Sequence, residues 1–227
     1  MSFDDTTDPQ MRPVHDAEVA DTRRRLLDAA GEVFARRGFR DATVREICGL
    51  ANANLAAVNY HFGDKAALYR AVISETSREM TEHYPPLMGI APDAPADARL
   101  HAFVRSMMLR MFQPGRAAWF GNVMAREMIE PTEVLDSLVG DTIRPMYQML
   151  MGIVSELLGP GADEDQIRLS AGSVIGQCVH YKHCRSMICR LVGEDLYQPD
   201  RIEQIARHIT TFSLAAMKTL REERGGR

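Results

Sequence analysis

The sequence predicts an all-α protein: a three-helix N-terminal unit built around a helix-turn-helix, then a larger helical body. Three observations carry this. The stretch TVREICGLANANLAAVNYHFGDK, Thr43 to Lys65, reads as short helix, tight turn, short helix and the start of a third. Beyond it, apolar residues recur at helical spacing in segments separated by Pro and Gly breaks. Apolar residues make up 45% and charged residues 26% of the 227, enough for a sizeable core in one large or two modest domains.

Residues 1–19 read as a disordered arm, with Pro9, Pro13 and little apolar material. They are polar and acidic and carry no apolar h-region, so they are not expected to be a signal peptide. The first helix is expected from about Asp21 to Arg37. Leu26, Leu27, Ala30, Val33 and Phe34 form its core stripe, Gly38 follows its end and Phe39 packs back. Arg23, Arg24 and Arg25 lie on its charged face, which fits phosphate contact and a solvated surface equally well.

Thr43, with Glu46 three residues on, has capping-box spacing, and Val44, Ile47 and Ala51 give the next helix one apolar face. Ala51-Asn52-Ala53 is the turn, and Asn54 caps the second helix. Leu55, Val58 and Phe62 fall at i, i+3 and i+7. Ala56, Ala57, Asn59, Tyr60 and His61 are left to face outward, a small and polar surface where a solvated helix would carry long charges. Small residues admit another surface closely, Asn can pair bidentately with adenine, and Tyr, His and Lys reach phosphate oxygens. Asp64 caps a further helix, with Lys65 in its first turn, that runs to about Tyr84 and stops at Pro85-Pro86.

Asn59-Tyr60-His61-Phe62-Gly63-Asp64-Lys65, with the preceding Phe34-Ala35-Arg36-Arg37-Gly38-Phe39, resembles the TetR family of bacterial transcriptional regulators over about a quarter of the chain. The resemblance implies a cytoplasmic homodimer that binds a palindromic DNA operator, most often as a repressor released by a small apolar or amphipathic effector. It divides the chain into the arm, a DNA-binding domain at 20–66 and an effector-binding and dimerisation domain at 67–227. It also makes the helix from Asp64 the link between head and body. Expected DNA contacts are Asn54, Leu55, Ala56, Ala57 and Asn59 near base edges, with Thr43, Tyr60, His61 and Lys65 on phosphate and Arg45 able to do either. Net charge is −4, but 20–65 has seven Arg and one Lys against six acids, a local balance of +2.

After the Pro/Gly-bearing loop from Leu87 to Pro95, helices are expected at about Ala96–Gln113, Arg116–Ile129 and Thr132–Leu158, with Pro145 kinking the last or starting a new segment. Two more are expected at Asp163–Leu191 and from Pro199 to about Arg221. In a protein of the resembling family this last pair implies a four-helix dimer interface, with Gly172 and Gly176 allowing close approach; packing within the chain is the other reading.

Eight of the fourteen Met lie between Met107 and Met151, beside Trp119, Phe120 and Tyr147. Methionine fills irregular space and adapts to varied ligands. A plastic apolar effector pocket is expected from Met107, Met111, Trp119, Phe120, Met124, Met128 and Tyr147, with Gln177, His180 and Tyr181 as polar lining; core packing is the alternative for any single Met. This Met-rich body resembles the CecR-like subgroup of the family, whose effectors are antibiotics and other foreign compounds.

His180, His183 and Cys184 could share one helix face, but no second ligand cluster accompanies them, so no metal site is assigned. Cys178, Cys184 and Cys189 are spaced too far along one helix to pair easily, and Cys48 stands apart; reduced thiols are expected. No cofactor is expected. No Gly-rich phosphate loop, G-x-S-x-G or H-E-x-x-H occurs, which argues against an enzyme; a helical small-molecule carrier or enzyme without an operator is the alternative class. No apolar run approaches the ~20 residues of a membrane span.

Overall fold

A computed structural model describes residues 11–112 and 116–226; the expectations for residues 1–10, Gln113, Pro114, Gly115 and Arg227 lie outside it. Eleven α-helices are present among the described residues: α1 (Met11–Asp41), α2 (Val44–Ala51), α3 (Leu55–Phe62), α4 (Lys65–His83), α5 (Ala96–Phe112), α6 (Arg116–Glu127), α7 (Val134–Leu138), α8 (Arg144–Leu158), α9 (Glu164–His183), α10 (Arg185–Val192) and α11 (Pro199–Gly225). The described residues divide into two compact units between Glu75 and Thr76, within α4.

In the first unit, α1, α2 and α3 pack on one another around Leu26, Ala30, Val33, Phe34, Ile47 and Val58. The first half of α4 closes this core. Tyr69 meets the Phe34 ring edge-on at 4.7 Å and the Phe39 ring at 5.0 Å. Such aromatic pairs add roughly 0.5–1.5 kcal/mol beyond area burial. Helix α1 starts at Met11, inside the stretch expected as an arm. Pro13 sits in its first turn, where the missing N–H costs no intrahelical bond. The same helix bends at Gly38, whose φ of 79° is open to glycine at little cost. Each cap in the helix-turn-helix comes from the side chain the spacing assigns. Thr43 Oγ1 accepts from Glu46 N at 3.2 Å, Asn54 Oδ1 from Ala57 N at 2.8 Å, and Asp64 Oδ1 from Ala67 N at 2.7 Å.

In the second unit, α5, α8, α9 and α11 bury Leu100, Phe103, Val104, Met108, Leu150, Ile153, Val154, Leu158, Val174, Cys178, Ile202, Ile205 and Ile209 together. Arg105 Nε pairs with Glu203 Oε2 at 2.6 Å between α5 and α11.

Two expected helices are broken. The segment from Thr132 becomes α7, one π-helical turn (Val139–Ile143) and α8, with Pro145 second in α8. The wider π turn ahead of the proline absorbs the ring's conflict with the preceding turn. The segment expected as Asp163–Leu191 divides at Cys184 into α9 and α10. Tyr197, in a short 3-10 turn (Glu194–Tyr197), donates its hydroxyl to the Tyr181 carbonyl at 2.9 Å, taking up an acceptor that the end of a helix leaves open. No Pro or Gly marks this break, so helical periodicity runs straight through it.

Candidate nucleic-acid interface and ligand cavity

Helix α3 presents Asn54, Leu55, Ala56, Asn59 and Tyr60 to solvent, while Ala57 and His61 are half-buried. Leu55 falls on the apolar stripe yet is 51% exposed, because α3 begins with it and only Val58 is fully covered. Tyr60 is 75% exposed, with its ring edge-on to His61 at 5.0 Å. Burial and the nearby Arg23 charge hold His61 below the ordinary histidine pKa. In the free protein this favours the neutral imidazole, which can still donate one hydrogen bond. Asn54 spends Oδ1 on its cap and keeps its amide N–H₂, whereas Asn59 keeps both amide atoms free.

The basic residues of this unit divide into two groups. Arg25 donates to the carbonyls of Ala51 and Asn52 at 3.0 and 3.2 Å, closing the end of α2. Arg36 and Arg37 hold Glu46 at 2.8 Å each and keep its carboxyl below the usual range. Arg23 pairs with Glu75 and lies 5.3 Å from the Phe62 ring centre. Lys65, expected on phosphate, faces inward. Its Nζ donates to Ala42 O at 2.8 Å and Arg40 O at 3.2 Å and sits 4.7 Å from the Phe39 ring centre. Two of its three donors thus hold the end of α1 to the start of α4. Among the described residues, Arg24, Arg40, Arg45 and Arg70 are exposed and make no ion pair. The sequence offers Arg45 and, on the charged face of α1, Arg24; finding Arg40 and Arg70 takes a charge-by-charge account of partners.

The second unit holds a partly open cavity of about 180 Å³. Met107, Met111, Phe120, Met124, Met128 and Tyr147 line it. Trp119, Gln177, His180 and Tyr181 do not, and helix geometry explains each omission. Phe120, Gly121, Met124 and Ala125 of α6 line the cavity, with Met128 just past the helix end, and Trp119 lies on the opposite side of α6 from the centre of that stripe. On α9 the cavity stripe is Ile175, Val179, Lys182 and His183, which leaves Gln177, His180 and Tyr181 on other faces. Gln177 turns toward α11 and donates to Ser213 Oγ at 3.2 Å. His180 is exposed beside the Tyr181 ring, and the Tyr181 carbonyl accepts from Tyr197.

Sequence reasoning does not place Arg110, Lys182 or His183 at the cavity, and weighs His183 only as a metal ligand. On α5, Arg110 shares the i, i+4, i+7, i+8 stripe of Phe103, Met107 and Met111, which is the signal that could have found it. It is 7% exposed, and burial lowers its pKa to about 10, so it stays charged. Its guanidinium grips the Tyr84 carbonyl from Nε at 2.9 Å and Nη2 at 2.7 Å, and Nη1 meets Met146 Sδ at 2.8 Å. Lys182 is held below the usual lysine pKa by burial and by Arg185, and its ammonium lies 5.9 Å from the Phe112 ring centre.

A separate groove runs between α9 and α11, lined by Leu169, Ser173, Gln177, Phe212, Ala216 and Leu220 among others. Leu169 is 73% and Phe212 60% exposed. Gly172 and Gly176 face solvent, and a Cβ on either would meet nothing within 4 Å. Among the described residues, no group of three or more His, Cys, Asp or Glu is placed to hold a metal, and no helix is long and apolar enough to cross a membrane.

Comparison with known proteins bears on both units. Residues 96–217 match the family described as "HTH-type transcriptional dual regulator CecR, C-terminal domain", and residues 26–72 match "Bacterial regulatory proteins, tetR family". The HTH-type transcriptional dual regulator CecR of Shigella flexneri is 24% identical over 196 residues, 83% of this chain and 87% of that protein. The regulator SrpR of Pseudomonas putida is 36% identical over 74 residues, 33% of this chain and 35% of its own. The fold is similar to that of AibR, solved in complex with isovaleryl coenzyme A and operator DNA. That likeness has a TM-score of 0.63 and 18% identity, and covers 84% of this chain and 97% of the other.

Proposed function

The chain belongs to the TetR family of DNA-binding transcriptional regulators, in the group that shares the CecR C-terminal domain, and from that premise we propose a homodimeric, cytoplasmic repressor released from a palindromic operator by a small effector held in the body. The surface of α3 carries this reading: small, polar and aromatic side chains face outward with no long charge among them. That surface suits close docking in a major groove.

Asn59, with both amide atoms free, takes adenine. Asn54, Leu55, Ala56 and Ala57 approach base edges and methyl groups at the N-terminal end of α3. Thr43, Arg45, Tyr60 and His61 meet phosphate. Lys65 adds its charge from behind and one remaining donor. One α3 reads too few base pairs alone, so two copies spaced by a helical turn are needed. The exposed Leu169 and Phe212, with Gly172 and Gly176 beside them, supply an apolar face for pairing α9 and α11 with their copies. The effector occupies the cavity of Met107, Met111, Phe120, Met124, Met128 and Tyr147, and shifts the population toward head spacings that miss successive grooves.

Selection of bound sequences from random duplex DNA tests the reading. Enrichment of a palindrome is the expected result, and a reporter driven by that palindrome then separates repression from activation. A carrier or enzyme without an operator would enrich nothing, even at low salt.

A further inference from the structure

Among the described residues, the polar groups lining the body cavity are Ser77, Arg110, Thr142, Tyr147, Lys182 and His183, and none of them is an acid. Two are basic side chains, Arg110 and Lys182, and no carboxylate among the described residues pairs with either. Arg110 is more than nine-tenths buried and is neutralised only by dipoles: one carbonyl, used twice, and a thioether, the weaker acceptor. Buried Arg and Lys are rarely left without a partner, because an unpaired charge in an apolar surround is costly. The rest of the wall is methionine, phenylalanine and aliphatic carbon. Lys182 reaches the site because α6 carries Gly121 there: a Cβ at that position would sit 3.1 Å from Lys182 Cε and Nζ. The volume, about 180 Å³, falls below the ~300 Å³ at which pockets for drug-sized ligands begin.

We propose that this cavity takes a small amphipathic anion, a carboxylate on a single apolar chain, whose charged end is met by Arg110 and Lys182 while its chain lies among the methionines. The inference rests on the effector reading above and gives it a ligand class. A carboxylate would supply the counter-charge both cations lack, and guanidinium and ammonium donors to carboxylate make the stronger class of hydrogen bond. A cationic or neutral amphipath of equal length would fill the same apolar space and leave both charges unpaired.

The test compares octanoate, 1-octanol and octyltrimethylammonium by calorimetric titration into the full-length protein. Octanoate is expected to bind about tenfold tighter than octanol, with the cation weakest. Lys182→Met keeps an apolar stem and should bring the octanoate-to-octanol ratio toward one. Arg110→Met should do the same, but Arg110 also holds the Tyr84 carbonyl, so the Lys182 variant decides if the other fails to fold. Octanol or octyltrimethylammonium binding as tightly as octanoate, or a ratio unmoved in Lys182→Met, overturns the anion assignment and leaves an apolar effector cavity standing. No binding by any of the three overturns both.

Discussion

The two units use positive charge in opposite ways. In the head, Arg25 and Lys65 hold backbone carbonyls and Arg36 and Arg37 hold Glu46, while among the described residues Arg24, Arg40, Arg45 and Arg70 make no ion pair at the surface. In the body, Arg110 is buried against an apolar cavity, Lys182 reaches it, and neither has an acid among the described residues. The contrast teaches that net charge locates neither site. What matters is which cations are spent on the protein itself and which are left over for something else.

The largest test breaks the head alone. Phe34→Ala removes a fully buried ring that Tyr69 meets edge-on, and should cost about 3–5 kcal/mol. Operator binding should disappear while octanoate titration of the body persists. Loss of both together would mean the units do not behave separately.

Next in size is the pairing face. Phe212→Glu places a charge where an apolar partner is expected, and should convert a dimer to monomer at micromolar concentration in sedimentation, with operator affinity falling more than about tenfold. A dimer that survives this change moves the interface away from α9 and α11.

Base reading and structural charge can be separated within the head. Asn59→Ala should lose about 1–3 kcal/mol of discrimination at one operator position, read by competition between operator variants. Arg45→Ala should weaken binding to all sequences alike and reduce the salt slope by about 1. Lys65→Ala should instead lower the melting temperature, by the equivalent of about 1–2 kcal/mol, with a smaller change in slope. The reverse pattern, an unchanged melt and a slope lowered by a full unit, would return Lys65 to phosphate duty.

The smallest effect concerns thiols. Burial pushes Cys178 up to about 12 and raises Cys48, while Cys184 and Cys189 are partly exposed. Iodoacetamide at pH 8 should label Cys184 and Cys189 first, as peptide mapping would report. Early labelling of Cys178 would mean that α9 opens readily.

The head was legible because its chemistry is local. Thr43, Asn54 and Asp64 each bond an amide three residues on, so spacing alone predicts the cap. Lys65 misled because its partners, Arg40 and Ala42, are more than twenty residues back in the sequence. The body site draws on α4, α5, α6, α8, α9 and the π turn, and composition could find its methionines but not its orientation. Trp119, Gln177, His180 and Tyr181 were the right kinds of residue on the wrong faces. The break at Cys184 was invisible because a hydroxyl arriving from Tyr197, not a proline or glycine, finishes the helix.

The paired grip of Arg36 and Arg37 on Glu46 carries a consequence for anyone counting ions. Both arginines are about half exposed, so dissolved electrolyte competes for them as it competes for phosphate. A titration of operator affinity against salt would therefore report two processes at once: counterions returning to the duplex and the clasp between α1 and α2 loosening. The apparent number of neutralised phosphates would come out too high unless the stability of the free head were followed across the same salt range and subtracted.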